Sequence, residues 1–295
     1  MSQSIRPENR IVDGLSIRYA ESEQRDDHAL LLSPWPESIY AYEPTWHRLA
    51  ERTHLVAVDL PGFGQSERHD SLMSPQAMGD FIVRLADSFR LSRPHLVGPD
   101  IGTAASLFAA AKNQGRFRSL TVGTGGAAVP LQLGGVLKEW VEAPSLEPYR
   151  KVGGRKIVEA ALSTLERYRP TDIAREDYIR SFEGDRFAES MRYVRAYPQD
   201  LPILRDVLPT IETPVLIING ARDRVVPPAN AEYLHERLPK SRLEIIDAGH
   251  FIWEDAAETY ATLVSSWWAG GCAALSGSVH SVNSAVDDVD RGTRV

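Results

Sequence analysis

Short apolar runs alternate along most of this chain with longer stretches in which apolar residues recur every three or four positions. Residues 11–20 read as two short strands around Gly14, the second with period-two alternation. The runs at 28–32, 54–59, 95–97, 117–122 and 215–219 are nearly all apolar, the mark of strands buried on both faces, and 242–247 closes the series. Helical patterns fall between them at 42–52, 74–90, 103–111, 229–238 and 255–268; the second opens on Ser74 with Pro75 at its first position, a strong start signal. This alternation predicts an α/β fold with a mostly parallel sheet covered by helices on both faces. Residues 129–208 break the rhythm. They hold no convincing buried strand, and helical segments are expected near 136–142, 156–167, 175–182 and 185–196. The pattern therefore predicts a core made of 1–128 and 209–269, a helical cap at 129–208, and a disordered tail at 270–295, which is small, polar and without periodicity.

Ligands of such sheets lie at the carboxyl ends of the strands. That places residues 33–37, 59–64, Asp100, 123–126, Asp223 and His250 along one edge. The stretch Gly98-Pro99-Asp100-Ile101-Gly102 between the 95–97 strand and the 103–111 helix has the form of a nucleophile elbow, with glycines two before and two after the central residue. Its usual occupant is Ser; here it is Asp100. Asp223 follows the next strand but one, and His250 the strand after that, so the chain order is nucleophile, acid, histidine. A lone aspartate after a strand is usually a helix cap, and a lone histidine usually structural. Three such residues at strand ends in this order point instead to a triad, with His250 as general base and Asp223 holding its tautomer.

Composition narrows the setting. The chain has 295 residues, 43% hydrophobic and 25% charged, enough for one large domain with an insertion. A net charge of −7 argues against nucleic-acid binding. One cysteine, Cys272, excludes an internal disulfide framework. No apolar run reaches membrane-spanning length, and residues 1–9 lack a signal-like apolar segment, so a cytoplasmic monomer or homodimer is expected.

Over residues 11–268 the chain resembles the α/β-hydrolase superfamily, and within it the aspartate-nucleophile branch of epoxide hydrolases and haloalkane or haloacid dehalogenases. The resemblance rests on Asp59-Leu60-Pro61-Gly62-Phe63-Gly64-Gln65-Ser66, on the elbow, and on Ser33-Pro34-Trp35-Pro36-Glu37-Ser38. This last stretch looks like the family's oxyanion loop with Ser33 and Pro34 in place of His and Gly. The resemblance implies an oxyanion hole from the Trp35 and Ile101 N–H groups, no metal or other cofactor, and a small apolar substrate carrying an epoxide or halide. A carboxylate nucleophile suits displacement at saturated carbon, giving an alkyl ester of Asp100 that water then hydrolyses. Epoxides need proton donors, with Tyr193, Tyr197 and Tyr149 as candidates; halides need N–H donors, with Trp35 and Trp140 as candidates. Ile101 directly after the nucleophile resembles epoxide hydrolases. Val194 stands where their cap tyrosine is expected, with Tyr193 about 100° away around a helix. A diol-forming epoxide hydrolase is the first expectation and a dehalogenase the second. A hydrolase-fold binding protein without turnover, and an esterase using Ser33 or Thr103, are the alternatives. Glu37 and Asp59 share the active edge, where burial would raise their pKa or an arginine pair with them.

Overall fold

The computed structural model describes residues 4–270 and 272. Eight strands form one sheet: β1 (Glu8–Val12), β2 (Leu15–Glu21), β3 (Asp27–Leu32), β4 (Thr53–Val58), β5 (His95–Pro99), β6 (Ser119–Gly123), β7 (Val215–Gly220) and β8 (Ser241–Ile246). Their spatial order is β1-β2-β4-β3-β5-β6-β7-β8. β1, β2 and β4 pair antiparallel, and every pairing from β4 through β3 to β8 is parallel. The chain order reverses between β4 and β5, which puts β5 and the turn that follows it in the middle of the sheet.

The helices are α1 (Glu43–Ala50), α2 (Pro75–Ser88), α3 (Gly102–Lys112), α4 (Gly135–Glu142), α5 (Glu147–Val152), α6 (Gly154–Leu162), α7 (Asp172–Ser181), α8 (Arg186–Val194), α9 (Tyr197–Val207), α10 (Ala229–Arg237), α11 (Ile252–Asp255) and α12 (Ala257–Ala269). None among the described residues is long and apolar enough to cross a membrane. Side-chain alternation along the central strands divides the core in two. Leu30, Leu32, Val56, Leu96, Leu120 and Ile217 pack with α2, α3 and α10. Ala29, Leu31, Leu55, Val97, Leu216 and Ile218 pack with α1 and α12. Both faces are covered, which is why these strands read as unbroken apolar runs. β1 and β8 are the edge strands, and the middle residues of β8 are partly buried or exposed.

Six helices, α4 to α9, stand between β6 and β7. Two of them, α5 and α9, escape the sequence pattern. α9 contains Pro198 and Pro202, which argue against a helix wherever they stand beyond its first turn. The helix expected at 156–167 instead ends at Leu162. The reason is Asp255, whose carboxylate accepts the N–H groups of Glu166 (2.9 Å), Arg167 (2.8 Å) and Tyr168 (2.9 Å). Those donors are thereby turned away from helical partners. The same residue closes α11, a short helix not expected from the sequence, ahead of α12, which takes up the helix expected at 255–268. A second tether joins α7 to the sheet: Arg18 grips Asp177 with two N–H groups, at 2.9 and 2.6 Å, and the Ser38 hydroxyl donates to Asp177 at 2.6 Å. The expected tail at 270–295 lies, apart from Gly270 and Cys272, outside the described residues.

Candidate active site

The turn after β5 holds Asp100 at φ 51°, in the left-handed region. Asp is among the few residues that tolerate this conformation. The backbone fixes it there: Asp100 N–H donates to Gly123 O at 2.9 Å, and Thr103 N–H donates to Asp100 O at 3.0 Å. The requirement for glycine is unequal across the turn. A Cβ at Gly98 would lie 2.2 Å from Ser106 Oγ, whereas one at Gly102 would meet only Leu32 at 3.4 Å, an ordinary contact. The turn is thus crowded on the Gly98 side, and Gly125 adds to it from the next strand end, where a Cβ would lie 2.3 Å from Asp100 O.

Asp100 is 5% exposed, and its two oxygens have different surroundings. Oδ2 accepts the backbone N–H of Trp35 at 2.7 Å, and the Ile101 N–H beside it favours the ionised carboxylate. Oδ1 faces His250 Nε2 at 3.7 Å. Burial pushes the Asp100 carboxyl up to about 6, against the opposing pull of His250 and the two N–H groups. His250 Nδ1 lies 2.9 Å from Asp223 Oδ2. The other oxygen, Asp223 Oδ1, accepts the N–H groups of Val225 (2.9 Å) and Val226 (2.8 Å), so the carboxylate is locked from behind. Burial disfavours the imidazolium, but the Asp223 carboxylate and its hydrogen bond, with Asp100, outweigh it and raise the His250 pKa. The geometry thus brings together all three residues of the expected triad and both expected oxyanion donors. Pro34 removes its own N–H, yet the loop still presents the Trp35 N–H to Oδ2.

The helices above the turn sort the leaving-group candidates. Tyr197, at the start of α9, is 2% exposed, and its hydroxyl makes no hydrogen bond to another described residue. Burial raises its phenol well above the ordinary value, with the Asp100 carboxylate adding to the rise. Its ring is seated on Gly126, where a Cβ would come within 2.7 Å of it. Tyr193 is also buried, but its hydroxyl is committed, donating to Ile101 O at 2.8 Å. The indole N–H of Trp35 is likewise committed, to Ser190 Oγ at 2.9 Å. Trp140 packs edge-on against Trp35, with centroids 5.1 Å apart. Tyr149 lies half-buried on α5 and is not drawn into the site. Thr103, raised as a hydroxyl nucleophile, has its Oγ1 held by the backbone of Gly98 and Gly123.

Two features escaped the sequence reading. Glu37 and Glu254 form a buried pair beside the site: Trp253 Nε1–H donates to Glu37 Oε2 and Tyr178 O–H to Glu254 Oε1, each at 2.9 Å. Burial and mutual repulsion raise Glu37 well above the carboxylate range, and burial raises Glu254. Burial thus favours the protonated form of both carboxyls. The available signal was Glu254 one helical turn after His250. The second feature is Ser190, one turn before Tyr193 on the same helix face. Asp59 meets both expectations stated for it: burial pushes it up to about 6, and Arg18 at 3.3 Å opposes that rise.

The sequence pattern described as the alpha/beta hydrolase fold matches residues 30–257. A 2-hydroxy-6-oxononadienedioate/2-hydroxy-6-oxononatrienedioate hydrolase of Pseudomonas putida is 27% identical, over 73% of this chain and 77% of its own. Among solved structures, a haloalkane dehalogenase from Bradyrhizobium elkani superposes with a TM-score of 0.77 at 22% identity, over 91% of this chain and 99% of its own. An epoxide hydrolase without ligand gives a TM-score of 0.74 at 16% identity, over 90% of this chain and 99% of its own. At these identities the structural likeness speaks for the fold.

Proposed function

The chain belongs to the α/β-hydrolase family, and from that premise we propose that it hydrolyses epoxides to diols through an alkyl ester of Asp100. The single observation that carries the reading is the division of labour within one carboxylate: Oδ2 is held by the Trp35 N–H at 2.7 Å, while Oδ1 is turned to the His250 side. In the first step Oδ1 attacks a saturated carbon of the epoxide, the ring C–O bond breaks, and the freed oxygen takes the Tyr197 proton. In the second, His250 Nε2 takes a proton from water and the hydroxide adds at Asp100 Cγ. Charge then develops on Oδ2, where the Trp35 and Ile101 N–H groups stabilise it. Collapse expels the second diol oxygen, which is protonated by His250. The proton left on the Asp100 carboxyl restores the Tyr197 phenol.

Electrostatics favours this order. Asp100 is one of the groups that raise the His250 pKa. Esterification removes that charge, so the imidazole reverts toward its neutral, basic form when water must be deprotonated. An acyl substrate fits less well, because a carboxylate attacking an acyl carbon gives an anhydride. The choice of epoxide over halide rests on hydrogen-bond bookkeeping above Asp100. The Tyr197 hydroxyl makes no hydrogen bond to another described residue and its phenol lies within reach of the Asp100 charge, whereas of the two indole candidates Trp35 already serves Ser190, leaving Trp140 as the halide-donor candidate. The helices α4–α9 act as a cap that encloses the substrate.

The test is a matched pair, an epoxide and a haloalkane of the same carbon skeleton. Diol without comparable halide release is the expected outcome. Halide release as the faster reaction would make the protein a dehalogenase. Ligand binding with neither product, unchanged in Asp100→Asn, would make it a binding protein on a hydrolase scaffold.

A further inference from the structure

Helix α8 touches both residues whose N–H groups face Asp100. Phe187, Ser190 and Tyr193 recur at a spacing of three and so share one face of the helix. The Phe187 ring stacks on Trp35, with centroids 5.0 Å apart and planes 20° from parallel. Ser190 Oγ accepts the Trp35 indole N–H at 2.9 Å and donates to Phe187 O at 2.7 Å. Tyr193 O–H donates to the carbonyl of Ile101 at 2.8 Å. All these atoms are buried, so each lost partner leaves an orphaned polar group. On the opposite flank Glu189 binds Arg68 of the core at 2.5 Å, holding the helix down from outside.

We propose that α8 is the positioning element of the oxyanion hole: Ser190 sets Trp35, Tyr193 sets the peptide after Ile101, and the hole is complete only with α8 docked. This rests on the alkyl-ester reading of Asp100. Tyr193 thereby moves from candidate proton donor to positioning residue, and the completeness of the oxyanion hole depends on the docking of α8.

The two chemical steps respond oppositely to such a role. Alkylation removes negative charge from Oδ2, so the N–H donors do not assist it. Ester hydrolysis creates charge on Oδ2, so it depends on them. The experiment is single-turnover kinetics with a racemic aryl epoxide, following ester formation and decay by intact mass, in the full-length protein and in Ser190→Ala, Ser190→Thr and Tyr193→Phe. Ser190→Ala and Tyr193→Phe are expected to slow ester decay on the order of 10-fold, a fraction of what losing a whole oxyanion donor costs. Ester formation is expected to change less than about 3-fold, so ester accumulates. Ser190→Thr keeps the hydroxyl and is expected to restore decay. Equal slowing of both steps, or unchanged decay in both variants, overturns the positioning role while leaving the alkyl-ester reading intact. Absence of any Asp100 ester in all four proteins overturns both.

Discussion

The backbone N–H of Trp35 donates to Oδ2 of Asp100 at 2.7 Å, across 65 residues of sequence. That one bond decides which carboxylate oxygen attacks and which later carries charge. It also survives the replacement of the expected His-Gly by Ser33-Pro34, because the proline takes away its own N–H and not that of the residue after it.

Burial raises Asp100 to about 6, and a raised carboxyl has a defined effect on stability. Its contribution is fully present below the ordinary value and is lost as pH rises through about 6. At neutral pH the folded protein therefore carries a charge it would be more stable without, by roughly 3 kcal/mol at most. Asp100→Asn is expected to raise the melting temperature at pH 8 by several degrees. The gain shrinks toward pH 4, and differential scanning calorimetry across that range checks it. A gain independent of pH would contradict the assignment.

Tyr197→Phe removes the proton donor and leaves the ring on Gly126. Epoxide turnover is expected to fall about 10²- to 10³-fold, with the larger effect on kcat than on KM. Haloalkane turnover, if any is detectable, is expected to change little. Gly126→Ala pushes the same ring away and is expected to reproduce part of the loss. Steady-state kinetics on the matched substrate pair separates these outcomes.

Asp223→Asn keeps the shape but removes the charge that raises His250. The histidine is a base only when neutral, so the rising limb of the pH profile for ester decay is expected to move to lower pH. The rate on its plateau is expected to fall by several orders of magnitude as the tautomer is lost. A lower plateau with an unmoved limb would show that Asp223 does not tune His250.

Burial raises both Glu37 and Glu254 in the folded protein, and both titrate in the carboxylate range when unfolded. Their stabilisation is thus present at low pH and lost as pH rises above that range. Glu254→Gln removes one of the two raised carboxyls and its repulsion of Glu37. Its melting temperature is expected to decline less than that of the unaltered protein between about pH 6 and pH 9. Identical slopes would show that the buried Glu254 carboxyl does not shape this pH dependence.

The parts of this protein that were legible in its sequence are those fixed by local pattern. The doubly buried strands, the Gly98–Gly102 turn and the order Asp100, Asp223, His250 are each written in contiguous residues. What escaped depends on contacts between distant segments. Asp255 ends the helix before Glu166 through hydrogen bonds spanning 87 to 89 residues. Tyr193 and Tyr197 look equivalent as letters, and only the Ile101 carbonyl, 92 residues from Tyr193, tells them apart. Glu254 pairs with Glu37 through a fold-level approach that neither neighbourhood announces. Local pattern predicts elements; the partners of buried polar atoms are set by tertiary packing.

The most direct test of the account is the covalent intermediate itself. In His250→Gln the base that deprotonates water is gone while the nucleophile and its N–H donors remain. Incubated with an epoxide and analysed by intact mass and peptide mapping, this variant is expected to carry one adduct of the full epoxide mass on Asp100, stable for hours. Asp100→Asn/His250→Gln is expected to carry none. An adduct on another residue, or steady diol formation with no adduct, would contradict the central claim.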